Sequence, residues 1–305
     1  MTGGASEPPV YLVAGGSRVD AGKTTFSAGL VAHLAERAGD AVGVKPRAGN
    51  DYWFDHDDYR VATDRGRLYG KDARTLAAAN TRALTAVDDS SPSPSTVTPE
   101  SVNPVHRLWR PTPGRTGMLG DADRTFLCDR VTTDSGSRFV VNGAAEETGL
   151  LPEALTERLP LADATRVRDV PAFNEAMAEA HLPAIERLAA RVARTPVPVV
   201  VESYADVAGT LPRDGPVAPD AVAVVDPGRA RLYAGDRYAK ARAVAAGSPR
   251  EGSREEHVDA VTEMIEPLST VALPALPGDV RGDPDRIAAR YEQAYESLTT
   301  AVDER

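Results

Sequence analysis

The chain has 305 residues, 42% of them hydrophobic, and a formal net charge of −10, which is enough for one large α/β domain or two small ones around a real core. The acidic balance, with no basic stripe, argues against nucleic acid as the main partner; no apolar run approaches the roughly 18 residues of a membrane span, and the opening MTGGASEPP lacks a charged-then-apolar leader pattern, so a cytoplasmic protein without a membrane partner is expected. Cys128 is the one cysteine, which excludes an intramolecular disulfide or a cysteine metal cluster and reads as an inert core residue.

Val10-Tyr11-Leu12-Val13-Ala14 is a short apolar run and reads as a buried strand. A loop from Gly15 to Gly22 follows. Lys23-Thr24-Thr25 then opens a segment whose Phe26, Leu30, Val31 and Leu34 share one helical face. A helix N-terminus leaves backbone N–H groups unpaired and carries a partial positive charge. A glycine loop feeding it lets those groups wrap a phosphate chain without Cβ clashes. Lys23 would reach the β- and γ-phosphates, and the Thr24 hydroxyl would hold Mg²⁺. The spacing is longer than the usual Gly-x4-Gly-Lys-Ser/Thr. Counted from Gly16, five residues precede Gly22-Lys23-Thr24, and Ser17 stands where the usual first glycine would. The expected nucleotide-binding set is Gly16, Ser17, Asp20, Ala21, Gly22, Lys23, Thr24 and Thr25.

Ala41-Val42-Gly43-Val44 reads as a second short buried strand that ends at Lys45-Pro46, with Pro46 fixing its exit. A lysine is thereby delivered to the carboxyl end of a strand, the edge where ligands sit in open α/β sheets. The chain's four lysines are Lys23, Lys45, Lys71 and Lys240, so two in phosphate-suited positions carry weight. The remaining basic residues are arginines, and the acids are spread along the chain, a pattern that keeps a halophilic protein dissolved in strong salt.

The Gly16-x5-Gly22-Lys23-Thr24 loop, the strand ending Val44-Lys45-Pro46 and an Ala48-Gly49 turn after it resemble dethiobiotin synthetase, an ATP-dependent carboxylase family within the deviant P-loop class. The resemblance implies ATP and Mg²⁺ as cofactors, catalytic roles for Lys23 and Lys45 on the phosphates, and contact of Lys45 with a substrate carbamate. It implies metal contacts from Thr24, from an aspartate soon after the Lys-Pro motif, and from a strand-end glutamate. Between Asn50 and Tyr59 stand Asp51, Asp55, His56, Asp57 and Asp58. Asp58, ahead of a helical run, matches that aspartate best and Asp57 second; the alternative is a solvated acidic loop. Hard oxygen ligands suit Mg²⁺ better than zinc. A homodimer is implied by the resemblance alone.

Residues 59–87 read as helix around a Gly66–Gly70 loop, followed by a Ser/Pro/Thr-rich loop to residue 101. Asn103-Pro104 corresponds to an Asn-Pro segment that lines the substrate site in the resembling family. Arg107 and Arg110 suit an anionic substrate or pairing with nearby acids. Residues 125–142 read as a β-hairpin turning at Asp134-Ser135-Gly136-Ser137. That hairpin departs from the family pattern and marks an insertion from about 88 to 170. A helix is expected from Pro171 to Ala193, broken or kinked at Pro183. Val197 to Val201 reads as a third core strand ending at Glu202, the match to the family's metal-binding glutamate. The turn after it, Ser203-Tyr204-Ala205-Asp206, lacks the family's paired glycines. Ala221 to Val225 is a fourth strand, ending at Asp226. A helix over 254–266, a last strand at Val271-Ala272-Leu273-Pro274 and a helix from about 284 to 302 complete the chain.

The expected fold is α/β, a mostly parallel sheet with helices on both faces of the P-loop NTPase type. It is read as one domain over 1–305, with 88–170 as an insertion carrying the hairpin. The expected function is Mg²⁺-dependent ATP binding and hydrolysis, extended by the resemblance to a ligase acting on a small carboxylate-type substrate. A switch or partner-loading ATPase or GTPase, and a non-catalytic nucleotide-binding protein, stay open beside it.

Overall fold

The computed structural model describes residues 7–17, 21–86, 96–114, 119–121, 123–246 and 256–303. From the N-terminus the elements run β1 (Val10–Gly15), α1 (Lys23–Ala38), β2 (Val42–Val44), β3 (Arg47–Asp51), α2 (His56–Thr63), α3 (Lys71–Ala79), α4 (Pro99–Val102) and β4 (Val105–Pro111). They continue with β5 (Gly120–Asp121), β6 (Arg124–Thr133), β7 (Gly136–Asn142), α5 (Gly143–Glu147), α6 (Glu153–Arg158), β8 (Thr165–Val167) and α7 (Val170–Ala176). A π-helical turn (Met177–His181) leads into α8 (Leu182–Ala193). Then follow β9 (Val199–Glu202), β10 (Ala221–Asp226), β11 (Arg229–Ala234), α9 (Gly235–Ala245), α10 (Val258–Thr262), β12 (Ser269–Ala272) and α11 (Pro284–Asp303). The chain divides into two compact units, Met1–Pro46 with Thr75–Val97 and Ala189–Arg305, and Arg47–Arg74 with Thr98–Leu188. The expected α/β class is observed, but as two mixed sheets in place of one mostly parallel sheet.

The first unit is built on a six-stranded sheet in the order β12-β11-β10-β1-β9-β2. β10, β1, β9 and β2 are parallel neighbours. β11 and β12 extend the β10 side antiparallel. The reversal has a local cause. Asp226 pairs with Arg229 across Pro227-Gly228, and Gly228 adopts φ 80°, the conformation a tight turn with proline at its second position requires at its third. Tyr11, Val13, Val200, Ala223, Val225 and Leu232 face a core shared with Phe26, Leu30 and Leu34 of α1 and Tyr295 and Leu298 of α11. Leu12, Ala14, Val222 and Val224, at the alternate positions, are equally buried, as parallel strands covered on both faces require. α1 and α11 approach closely at Gly29, where a Cβ would lie 2.5 Å from Ile287 and from the Tyr295 hydroxyl. That hydroxyl donates to the Phe26 carbonyl at 2.9 Å. Because four adjacent strands are parallel, their carboxyl ends share one edge, which carries the loop after β1, Lys45, Glu202 and Asp226.

The second unit has the strand order β3-β4-β6-β7-β8, with β5 on β6. The expected Ala48-Gly49 turn is instead the middle of β3, which pairs parallel with Val105 to Trp109 of β4. β6 and β7 form the expected hairpin, with Thr133 opposite Gly136 around Asp134-Ser135. Leu108, Leu127, Cys128 and Val141 pack against Tyr59, Leu155 and Leu161 from the flanking helices and loops. The helix expected around a Gly66–Gly70 loop is observed as α2, which starts at His56, and α3, which follows that loop and ends at Ala79. Pro183 has no N–H to donate into a helix. Just ahead of it, the Leu182 N–H reaches back to the Met177 carbonyl, so the expected break takes the form of a π turn.

Two buried charges organise this unit. Arg130, 1% exposed, donates to the carbonyls of Leu68 at 2.8 Å and Asn103 at 2.6 Å, and to the Thr132 hydroxyl. Asn103, expected to line a substrate site, braces this arginine and also donates to the Val105 carbonyl. Asp129, fully buried, takes both prongs of Arg107 at 2.8 and 2.7 Å and the His181 Nε2 at 2.7 Å. Arg110 donates to the Leu150 carbonyl. Among the described residues no helix is long and apolar enough to cross a membrane.

Burial by itself would raise the Asp129 carboxyl, but Arg107 and His181 pull it from 3.8 down to about 2. A depressed carboxylate contributes stability above its unfolded pKa and loses it as pH falls through the folded one. We therefore expect about 2 kcal/mol of stability to disappear between roughly pH 4 and pH 2. Acid titration followed by unfolding measurements checks this; in Asp129→Asn the pH-dependent component should be absent from an already weakened protein.

Candidate functional site

The β1–α1 connection is shaped by its glycines. Gly22 precedes α1 with φ 84° and brings no side chain to cap the helix, so the first N–H groups of α1 lack a side-chain cap. At Gly15 a Cβ would lie 2.6 Å from the Lys23 Nζ and 2.9 Å from the Ala205 carbonyl oxygen. Gly15 therefore opens the lane along which Lys23 folds back. At Gly16 a Cβ would meet the Asp226 carboxylate at 1.9 Å, and the Gly16 N–H is committed to the Val225 carbonyl at 3.0 Å. Gly16 thus lets the end of β10 close on the loop. Asp226 in turn accepts from Arg229 and Arg231 at 3.2 and 3.1 Å. Ala21 is buried, Thr25 half-buried, and Ser17 stands at the end of the described part of the loop. Asp20 lies outside the described residues.

Register brings the reactive groups together. β9 lies between β1 and β2, with Val13 opposite Glu202 and Val44 opposite Val201. Lys45, one residue beyond Val44, is therefore beside Glu202. The Glu202 carboxylate has no exposed surface. Its Oε1 accepts the Lys45 ammonium at 2.6 Å and the Thr24 hydroxyl at 2.7 Å. Its Oε2 has no hydrogen-bond partner among the described residues. Lys23 donates to the Ala205 carbonyl at 2.7 Å. Lys23, Thr24, Lys45 and Glu202, four of the expected site residues, thus form one cluster at the strand ends.

A buried carboxylate oxygen without a partner, beside a threonine hydroxyl, is a donor set that suits Mg²⁺, which takes one or two protein oxygens and keeps waters and phosphate oxygens for the rest. Thr24 and Glu202 fit the metal by this test. Asp58, the third expected ligand, belongs to the second unit. There its Oδ2 accepts from Asn50 at 2.8 Å and from the Lys71 N–H, and burial raises its carboxyl above the usual range against the pull of those bonds. It lines an open cleft of about 480 Å³ with Trp53, Phe54, Asp57 and Arg74. Among the described residues, no group of three or more His, Cys, Asp or Glu is placed to hold a metal ion.

Ala205, whose carbonyl accepts from Lys23, is not among the expected site residues. Ser203 continues the sheet through its N–H to Val13 O, and Val207 N–H closes a turn onto Tyr204 O. Ala205 takes φ 47° within that turn, a left-handed backbone that glycine favours. No glycine marks this left-handed position in the sequence. Forcing a β-branched residue there should be costly, so we expect Ala205→Val to destabilise by about 1–2 kcal/mol while Ala205→Gly does not. Denaturant unfolding of the two variants checks the sign.

Comparison of the chain with family models, with curated proteins and with solved structures finds no match.

Proposed function

We propose that this protein binds and hydrolyses ATP in a Mg²⁺-dependent manner at the strand-end cluster of the first unit. The observation that carries this reading is the strand-end Glu202, buried at one sheet edge, whose Oε1 takes both the Lys45 ammonium and the Thr24 hydroxyl at the start of a helix without a side-chain cap, beside the buried Lys23. The α1 N-terminus and the loop feeding it suit a phosphate chain. Lys23, the first residue of α1, supplies a cation at the same end, and leaving the Ala205 carbonyl would direct it to the phosphates. Thr24 and Glu202 would hold Mg²⁺, which supplies charge neutralisation on the phosphates when bound. Catalysis of phosphoryl transfer is then mainly positioning and electrostatic stabilisation.

The finer reading is a ligase of the dethiobiotin synthetase kind, acting on a small carboxylate-type substrate. Such an enzyme brings two anions together, and unit negative charges about 4 Å apart repel by roughly 4 kcal/mol at an effective dielectric near 20. Lys45, fixed between a three-residue strand and Pro46, offers a compact cation to offset that. A switch-type NTPase is the second reading. It is favoured by the turn at Ala205, which joins Lys23 to a loop whose Asp206 and Ala208 are bonded to Val258 and Glu256.

Nucleotide binding and turnover, measured in strong salt with and without candidate acids, test these readings. Lys23→Ala should weaken nucleotide binding roughly 10–100-fold, the loss of one charge-assisted contact, and turnover should fall further because charge grows in the transition state. Unchanged binding and turnover of ATP and GTP would refute the nucleotide reading. Lys45→Arg separates the two finer readings: a ligase should lose acid-dependent turnover far more than nucleotide affinity, because a planar guanidinium does not replace a point charge. Nucleotide turnover by that variant equal to wild type counts for the switch.

A further inference from the structure

The state of Glu202 in this structure says how a metal can enter. Its Oε1 is shared by the Lys45 ammonium and the Thr24 hydroxyl, at 2.6 and 2.7 Å. The side chains of Lys45 and Glu202 are 5% and 0% exposed, so solvent screens them little. The register of β2 on β9 fixes this pairing in the backbone. Among the described residues Oε2 has no hydrogen-bond partner, and it belongs to the same carboxylate that already carries a cation. A divalent ion arriving alone would use that oxygen and the Thr24 hydroxyl, and would stand beside an ammonium in a buried site. Like charges so placed repel strongly, and the Glu202 carboxylate by itself does not neutralise both. A phosphate chain changes the balance, because it supplies negative charge to both cations and a competing acceptor for Lys45.

We propose that Lys45 is an electrostatic interlock that makes metal binding at Thr24 and Glu202 conditional on nucleotide. It occupies the metal's carboxylate until phosphate draws it away, and metal then replaces it. The proposal rests on the nucleotide reading of this site and adds an order of events to it. It also gives Lys45 a role distinct from holding a substrate anion, since the exchange needs no second substrate.

The test is Mn²⁺ binding to the full chain, followed by loss of the free-ion paramagnetic resonance signal, with and without a non-hydrolysable ATP analogue. Wild type should bind Mn²⁺ at least tenfold more weakly without the analogue than with it. Lys45→Met should bind Mn²⁺ alone at least tenfold more tightly than wild type, closing most of that gap. Lys45→Met leaves Glu202 buried and uncompensated, so a reciprocal variant guards against misfolding. In Glu202→Gln, which keeps the side-chain volume, Lys45 is released, and analogue binding in EDTA should be about tenfold tighter than in wild type. Equal Mn²⁺ affinity of wild type and Lys45→Met without nucleotide overturns the interlock, as does unchanged or weaker analogue binding by Glu202→Gln in EDTA. Absence of analogue binding by wild type under every condition overturns the nucleotide reading beneath it, a result distinct from either.

Discussion

A carboxylate without any exposed surface ends β9, the strand between β1 and β2 in the first unit, and its charge has to be balanced from within the protein. Lys45 and Thr24 balance it, and that requirement reaches outward. β2 must pair with β9 in the register that sets Val44 against Val201, or the ammonium misses its partner. β1 must flank β9 on the other side so that α1 starts with Thr24 over the carboxylate. A one-residue slip of either strand would turn these side chains to the opposite face of the sheet. The pairing of the parallel strands and the chemistry at their ends are therefore one constraint. Removing either member of such a buried pair typically costs about 3–5 kcal/mol, while a well-packed apolar replacement of both is tolerated, so stability alone does not account for its presence.

The second unit meets the same problem with different groups. Its buried charges are Asp129 and Arg130, neighbours on β6 whose side chains go to separate networks. Asp129 is matched by the planar fork of Arg107, whose guanidinium also lies 4.9 to 5.3 Å from the rings of Phe126, Phe173 and Trp109. Arg130 spends its donors on backbone carbonyls. Arginine suits such fixed, multiply bonded positions because its donors are rigid and its charge permanent. Of the chain's lysines, Lys23 and Lys45 are the buried ones, and both lie at the strand-end cluster. Among the described residues, buried lysine thus occurs at this cluster, while the buried cation of the second unit is an arginine.

The parallel strands were legible because they are covered on both faces and read as unbroken apolar runs. β1, β2, β9 and β10 fall where those runs were read, and α11 follows its helical periodicity. β11 was not read, because Arg229 and Arg231 alternate with Ala230 and Leu232 and point away from the core. β3 was not read either: Arg-Ala-Gly-Asn-Asp has turn composition, and only pairing with β4 makes it a strand. Lys23, Thr24, Lys45 and Glu202 could be picked out because each stands at the start of a helix or the end of a strand. Their mutual arrangement could not, since it depends on β9 lying between β1 and β2, a long-range fact with no local trace. The resting places of the two lysines, on Glu202 and on Ala205, are likewise fixed by tertiary packing.

Cys128 lies opposite Val141 in the β6–β7 hairpin, fully buried among Leu127, Leu108 and Phe139. Burial holds its thiol far above the usual range, so the reactive thiolate is scarce and no reagent reaches it in the closed state. Since it is the chain's one cysteine, every alkylation event records an opening of this hairpin core and nothing else. The rate of thiol labelling is thereby a built-in clock for breathing of the second unit, readable without introducing any probe.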